Sequence, residues 1–325
     1  MLSCTRRLGK IAPFSRAVQS LYRNQSTLKL DVDEFDIPMP WGKIAAKWWG
    51  PKDRQPILAL HGWQDNVATF DTMIPLLPPN TSVLAIDLPG HGYSTWLPPG
   101  QPYSLLGSVL LIRRIVKWYK WQQVKLLGHS MGGMMVFLYA SYFPKDIQFG
   151  ISIDMISPPI TEASKNCENI AWQINEILRL ETRKSQPPKY SYKELMQKWI
   201  IGTDHSLDEP ACELLMVRSA KEIQEGLFIF TKDPRLIKYS SLDTGYSLPY
   251  TLTLAERIKC PYRIIKAIDS PWYQDKQLSI QTVKEMEKSS VDFKFHLIPG
   301  KHHLHLTHPE TAVEIINPFL EKYNV

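Results

Sequence analysis

Cysteine is scarce in this chain of 325 residues, and Cys4, Cys167, Cys212 and Cys260 stand far apart. Such spacing offers neither a disulfide framework nor a clustered metal site, and it suits free thiols in a reducing compartment. Long apolar runs are missing too: no window approaches ~18 uninterrupted apolar residues, which argues against a transmembrane helix. No unit recurs at the roughly 20–50-residue period of solenoids or propellers. Charge of one sign is in excess only at the start. Arg6, Arg7, Lys10, Arg16, Arg23 and Lys29, with no acid among the first 30 residues, account for the whole net charge of +6. The body is electrically balanced, so it has no basic patch of the kind that holds nucleic acid.

The basic, acid-free stretch from Met1 to about Thr27 suits a mitochondrial transit peptide, attracted by membrane potential and then removed. A secretory signal fits less well, because Ile11-Ala12-Pro13-Phe14-Ser15-Arg16 interrupts the apolar run. A disordered basic tail on a cytoplasmic protein is the alternative. The last residues, Tyr323-Asn324-Val325, are not a peroxisomal address of the Ser-Lys-Leu type.

What is present is an alternation of strand and helix patterns. Leu28 to Ile37 and Lys43 to Trp49, joined by Pro38-Met39-Pro40-Trp41-Gly42, predict an antiparallel hairpin. Short continuous apolar runs then predict strands buried on both faces: Pro56 to Leu60, Thr81 to Ile86, Val124 to Leu127, Phe149 to Ile153, Tyr262 to Ile268 and Phe293 to Ile298. Helical patterns lie between and after them, at Leu105 to Lys120, Met131 to Tyr142, Gln277 to Lys288 and Glu310 to Tyr323. The expectation is an α/β fold with a mostly parallel central sheet, its core formed by residues 28–156 and 258–325. From 157 to 257 the rhythm stops. Glu168 to Thr182, Tyr192 to Ile201 and Glu209 to Lys221 read as helices, and only Gly226 to Phe230 as a strand. This predicts a helical cap inserted after the sixth strand, over the C-terminal sheet edge where ligands bind in such folds.

Two runs carry chemistry. Gly128-His129-Ser130-Met131-Gly132-Gly133 sits between a buried strand and a helix. A strained turn there projects the Ser130 hydroxyl, and the glycines let backbone pack closely around it. His61-Gly62-Trp63 directly follows the strand Pro56 to Leu60. Acyl transfer needs two backbone N–H donors for the tetrahedral oxyanion, and the amides of Trp63 and Met131 are placed to supply them. Asp87-Leu88-Pro89-Gly90-His91-Gly92 precedes Ser130 and so falls outside the order nucleophile, acid, histidine; Asp87 is read as structural. A general base must come late, and Gly300 to Glu310 holds His302, His303, His305 and His308.

With these pieces in their order, the chain from about Leu28 onward resembles the α/β-hydrolase superfamily. Leu60-His61-Gly62-Trp63-Gln64-Asp65-Asn66, Phe70 and Ile74-Pro75-Leu76-Leu77-Pro78 are similar to its serine hydrolase-like, or kraken-type, branch. The resemblance implies an α/β-hydrolase fold and a Ser-His-Asp triad. In the superfamily the histidine stands about seven residues before the proline that is Pro309 here, which points to His302, with His303 one slip away. The resemblance puts the acid after the strand Tyr262 to Ile268, at Asp269; Asp154, after the preceding strand, is the alternative that some members use.

The activity implied is hydrolysis of carboxylic esters of small to medium apolar substrates, through an acyl-enzyme on Ser130 and with no metal or organic cofactor. Aromatic and aliphatic residues of the insertion, such as Trp172, Ile174, Trp199 and Phe228, are expected to pack helices together, with a few facing an apolar pocket. An acyltransferase or a C–C bond hydrolase would use the same triad, and a silent hydrolase-fold binding protein is the non-enzyme alternative. Epoxide hydrolases and haloalkane dehalogenases, which place an acid where Ser130 stands, are disfavoured.

Overall fold

A computed structural model describes residues 31–183, 186–238 and 245–325; the expected leader, Met1 to Thr27, lies outside the described residues. In chain order the first half forms β1 (Val32–Met39), β2 (Gly42–Trp49), β3 (Ile57–Leu60), β4 (Val83–Ile86), α1 (Leu105–Trp118), β5 (Val124–His129), α2 (Met131–Tyr142) and β6 (Ile147–Ile153). The interruption comes next: α3 (Ala163–Glu181), α4 (Tyr192–Gly202), α5 (Glu209–Ser219), β7 (Ala220–Gln224), β8 (Leu227–Phe230) and α6 (Leu248–Glu256). The chain then returns with β9 (Tyr262–Ala267), α7 (Lys276–Ser289), β10 (Phe293–Ile298), a one-turn α8 (Leu304–Thr307) and α9 (Pro309–Lys322).

Among the described residues, eight strands make one sheet in the order β1-β2-β4-β3-β5-β6-β9-β10. The hairpin β1/β2 and the β2/β4 pair are antiparallel, and β4 through β10 run parallel. Alternation of side chains along each strand explains why the strands read as continuous apolar runs. Leu58 and Leu60 of β3 face one core with α1, α2 and Met286 of α7, whereas Ile57 and Ala59 face the other with Phe70 and α9. Helices therefore cover both faces, and the C-terminal strand ends are left open for a site.

The insertion has a small core of its own, in which Leu195, Trp199, Leu214, Leu215 and Phe228 are buried together. Its strand content is higher than expected, because β7 pairs antiparallel with β8 as a hairpin. Lys221, Glu222 and Gln224 point to no buried face, so β7 has no apolar signature to read. Buried polar contacts pin the insertion to the sheet domain. The Arg218 guanidinium of α5 donates to Asp87 at 2.8 and 3.0 Å and to Glu34 at 2.8 Å. Asn66 Nδ2 donates at 2.8 Å to both the Leu215 carbonyl and Ser219 Oγ. Breaking one partner out of a buried ion pair costs about 3–5 kcal/mol, so this end of the insertion is firmly held. Asp87 also accepts from the Val67 and Tyr93 amides at 2.9 Å each, a structural role in keeping with its place before Ser130. Among the described residues no helix is long and apolar enough to cross a membrane.

Candidate active site

Ser130 sits between β5 and α2 with φ 53° and ψ −116°, a backbone conformation that a side-chain-bearing residue adopts only when its surroundings force it. The forcing contacts are backbone against backbone. A Cβ on Gly128 would lie 2.2 Å from the Gly132 carbonyl, and one on Gly132 would lie 2.1 Å from the Leu60 oxygen of β3. The Ser130 amide donates to the Ile153 carbonyl at the end of β6 at 2.9 Å, which locks the turn to the sheet.

His302, in the loop between β10 and α8, brings its Nε2 to 2.8 Å from Ser130 Oγ. Its other nitrogen, Nδ1, lies 2.5 Å from Asp154 Oδ2. A serine hydroxyl donating to Nε2 and a ring N–H donating to the carboxylate give one consistent tautomer. The structure thus brings Ser130, His302 and Asp154 into a single hydrogen-bonded chain.

Asp269, the acid favoured from sequence, is not part of it. Its backbone amide donates to Gly300 at 3.0 Å, and its side chain stands exposed at the edge of the cavity beside Ser130. The reason lies where β6 ends beside β9. Asp154 has a positive φ of 55°, and its amide donates to Ile265 of β9 at 2.6 Å, so the chain turns back and aims the carboxylate across β9 toward His302. His303, the alternative base, is buried and turned away: its Nδ1 is 2.7 Å from Ser206 Oγ, and burial pushes its imidazole well below the usual range. His305 is likewise buried, 2.9 Å from Thr69 Oγ1, and His308 is exposed.

Asp154 is held by more than the histidine. Oδ1 accepts from the Lys266 ammonium at 2.7 Å and from the Ala267 amide at 2.8 Å, and Oδ2 accepts from the Ser270 hydroxyl. Burial works to raise its pKa, but the His302 hydrogen bond and charge, with Lys266, hold it below the usual carboxylate range. For His302, burial lowers the imidazole below its ordinary value; the Asp154 hydrogen bond opposes this, and the neighbouring His129 ring adds to it. Sequence reasoning missed Lys266 and Ser270, and nothing in the run Tyr262 to Ile268 marks one lysine of a buried strand as a carboxylate partner. It also missed His129, whose Nε2 lies 2.9 Å from the His302 carbonyl and so fixes the loop bearing the base.

A cavity of about 810 Å³ opens on Ser130. Met131, Met134 and Met155 with Trp63 and Tyr273 form much of its wall, while the turn after α4, Thr203 to Ser206, closes the side facing the insertion. Trp199 and Phe228 pack within the insertion core, as expected, and Trp172 and Ile174 are exposed; the few apolar side chains expected to face the pocket are not found there, where the insertion contributes Pro159 and the turn Gly202 to Ser206. Trp63 and Met131, the two residues expected to lend their amides to an oxyanion, border the same cavity. Met131 opens α2, so its N–H is one of the first-turn donors that a helix leaves without an internal acceptor.

The family described as alpha/beta hydrolase fold matches residues 55–190, which span the strand before His61 through the turn bearing Ser130 and on past Asp154. A probable serine hydrolase of Drosophila melanogaster is 39% identical over 293 residues, covering 89% of this chain and 88% of its own. The chain belongs to the serine hydrolase-like family of α/β hydrolases. A zebrafish (Danio rerio) serine hydrolase-like protein is 30% identical over 91% of this chain and 90% of its own. Among solved structures, a hypothetical protein of Pseudomonas aeruginosa PAO1 superposes with a TM-score of 0.77 at 27% identity, covering 89% of this chain and 99% of that one. The fold expectation thus stands: an α/β hydrolase with a mostly parallel eight-stranded sheet and helices on both faces.

Proposed function

We propose that this α/β hydrolase cleaves carboxylic esters with apolar acyl groups of small to medium size. Ser130 acts as nucleophile, His302 as general base and Asp154 as the acid that orients it. The observation that carries this reading is the hydrogen-bonded chain from Ser130 Oγ through His302 to Asp154, its first link 2.8 Å long and open to the cavity. His302 takes the Ser130 proton as the hydroxyl oxygen attacks the acyl carbon, and Asp154 stabilises the imidazolium that forms. The Trp63 and Met131 amides receive the oxyanion. Water activated by His302 then releases the acid from Ser130. A cavity of about 810 Å³ with three flexible methionine side chains in its wall suits an unbranched acyl chain of medium length.

A series of p-nitrophenyl esters from acetyl to palmitoyl tests the reading. kcat/KM is expected to rise from acetyl to a maximum at medium chain length and fall at the longest. A fluorophosphonate probe is expected to label the wild-type chain and to leave Ser130→Ala unlabelled. Ser130-independent labelling, or no ester turnover by folded protein, would refute the assignment. Adding excess alcohol as acceptor separates hydrolysis from acyl transfer by the product formed.

The pH profile follows from the His302 environment. Only the neutral imidazole accepts the serine proton, so activity grows as pH rises through the His302 pKa. Because burial depresses that pKa below 6.5, the acidic limb of kcat/KM is expected to have its midpoint below 6.5. A limb centred above 6.5 in wild-type protein would contradict the buried, Lys266-flanked environment of the base.

A further inference from the structure

Next to His302, three buried polar side chains converge without a hydrogen bond between them. Asp65 lies in the loop after β3, His129 ends β5, and His303 follows the base; all three are buried. Asp65 Oδ2 is 3.7 Å from His129 Nδ1 and 4.0 Å from His303 Nε2, too far for hydrogen bonds. The three atoms lie within 4.8 Å of one another. Among the described residues, nothing hydrogen-bonds to the buried Asp65 Oδ2 or His129 Nδ1.

The outer partners decide what these atoms offer. His129 Nε2 faces the His302 carbonyl at 2.9 Å, and a carbonyl only accepts, so Nε2 carries the proton and Nδ1 is a lone pair. Ser206 donates its hydroxyl to the Thr203 carbonyl at 2.8 Å, so at 2.7 Å it accepts from His303 Nδ1–H, leaving His303 Nε2 as a lone pair. The free oxygen of Asp65 is a carboxylate oxygen, its mate accepting from the Asn66 amide at 3.0 Å. Three electron-pair donors thus point into one buried space, and each imidazole is oriented by an N–H bond on its far side. That arrangement is characteristic of metal-ligating histidines, and two imidazoles with a carboxylate form a donor set for zinc and neighbouring divalent ions.

We propose that Asp65 Oδ2, His129 Nδ1 and His303 Nε2 form a binding site for a divalent transition-metal ion of the zinc class. Bonds of about 2.0–2.2 Å place tetrahedral ligands roughly 3.4 Å apart, so the Asp65–histidine distances need to close by about half an ångström. His129 and His303 also border the cavity at Ser130, which is the route of entry for an ion. Because His129 also holds the His302 carbonyl, a bound ion would brace the loop that carries the base. Spacing along the sequence hides this site, because its ligands stand at positions 65, 129 and 303.

The test is titration of the full-length, chelator-stripped chain with Co2+ and Zn2+ at neutral pH, read by the Co2+ visible spectrum, by bound metal after desalting and by melting temperature. One ion per chain at micromolar metal, with a higher melting temperature, is expected. Asp65→Asn and His303→Gln should abolish binding, Ser206→Ala should weaken it by about 10–100-fold as loss of an outer partner does, and Asp154→Asn should retain it. No stoichiometric binding to wild-type protein overturns the proposal whether or not the variants fold, and leaves water as the occupant of the space. Binding that survives in folded Asp65→Asn, or that is lost in folded Asp154→Asn, overturns it equally by placing the ion elsewhere.

Discussion

Asp154→Asn is expected to lower kcat for the best ester by about 10⁴-fold, while Asp269→Asn changes it by no more than a few-fold. The asymmetry rests on which atom of His302 carries the proton. In the native arrangement Nδ1–H donates to Asp154 Oδ2 at 2.5 Å, which leaves Nε2 as an acceptor 2.8 Å from the Ser130 hydroxyl. An asparagine amide can donate to Nδ1 instead, moving the ring proton to Nε2 and removing the acceptor that Ser130 needs. It also leaves the buried Lys266 ammonium, 2.7 Å from Oδ1, without its counter-charge, so the same substitution should lower thermal stability. Asp269 touches neither His302 nitrogen, and its exposed carboxylate at the cavity edge can act only on substrate entry or binding. Steady-state kinetics on both variants, with circular dichroism to establish folding, distinguish the two acids. Equal losses, or a larger loss at Asp269, would mean that the observed pairing is not the working one.

Gly132→Ala is expected to destabilise the protein by at least about 3 kcal/mol, enough to lower its melting temperature by several degrees or prevent folding. The added methyl would stand 2.1 Å from the Leu60 oxygen and 2.7 Å from the Leu60 carbonyl carbon. No rotamer change can relieve that contact, because the obstacle is the backbone of β3 in the middle of the sheet. Relief would require moving α2 away from β3, and with it the turn that aims Ser130 and the Met131 amide. Gly202→Ala serves as the control: at the end of α4 a new Cβ meets no atom of the described residues within 4 Å, and the change should be neutral or slightly stabilising. Thermal melts of the two variants beside wild type check the pair, and similar melting temperatures for both would show that the turn tolerates what its packing forbids.

The site and the fold were legible in the sequence to different depths. Strands buried on both faces announce themselves as short apolar runs, and the six such runs found in the sequence all lie in the sheet, as β3, β4, β5, β6, β9 and β10. The hairpin β1/β2 follows from its Pro/Gly turn. β7 escaped because its side chains are exposed, so burial left no pattern in it. The turn at Ser130 was readable because close backbone packing demands glycine at Gly128 and Gly132, and glycine is visible in a sequence. Lys266 was not, since a lysine in a buried strand carries no mark of the carboxylate it will meet.

The order of the parts can be read along the chain: a parallel sheet, an insertion after β6, a serine on a strand-to-helix turn and a histidine near the end. These are local, because period, turn chemistry and glycine requirements act within a few residues of the chain. That Asp154 rather than Asp269 meets His302, that His129 clamps the base loop, and that Asp65, His129 and His303 converge all depend on contacts between distant segments. Both aspartates follow parallel strands and precede the histidine, so chain order cannot separate them. What separates them is a positive φ at Asp154 and a hydrogen bond from its amide to Ile265 on the neighbouring strand, contacts that exist only once β6 and β9 lie side by side.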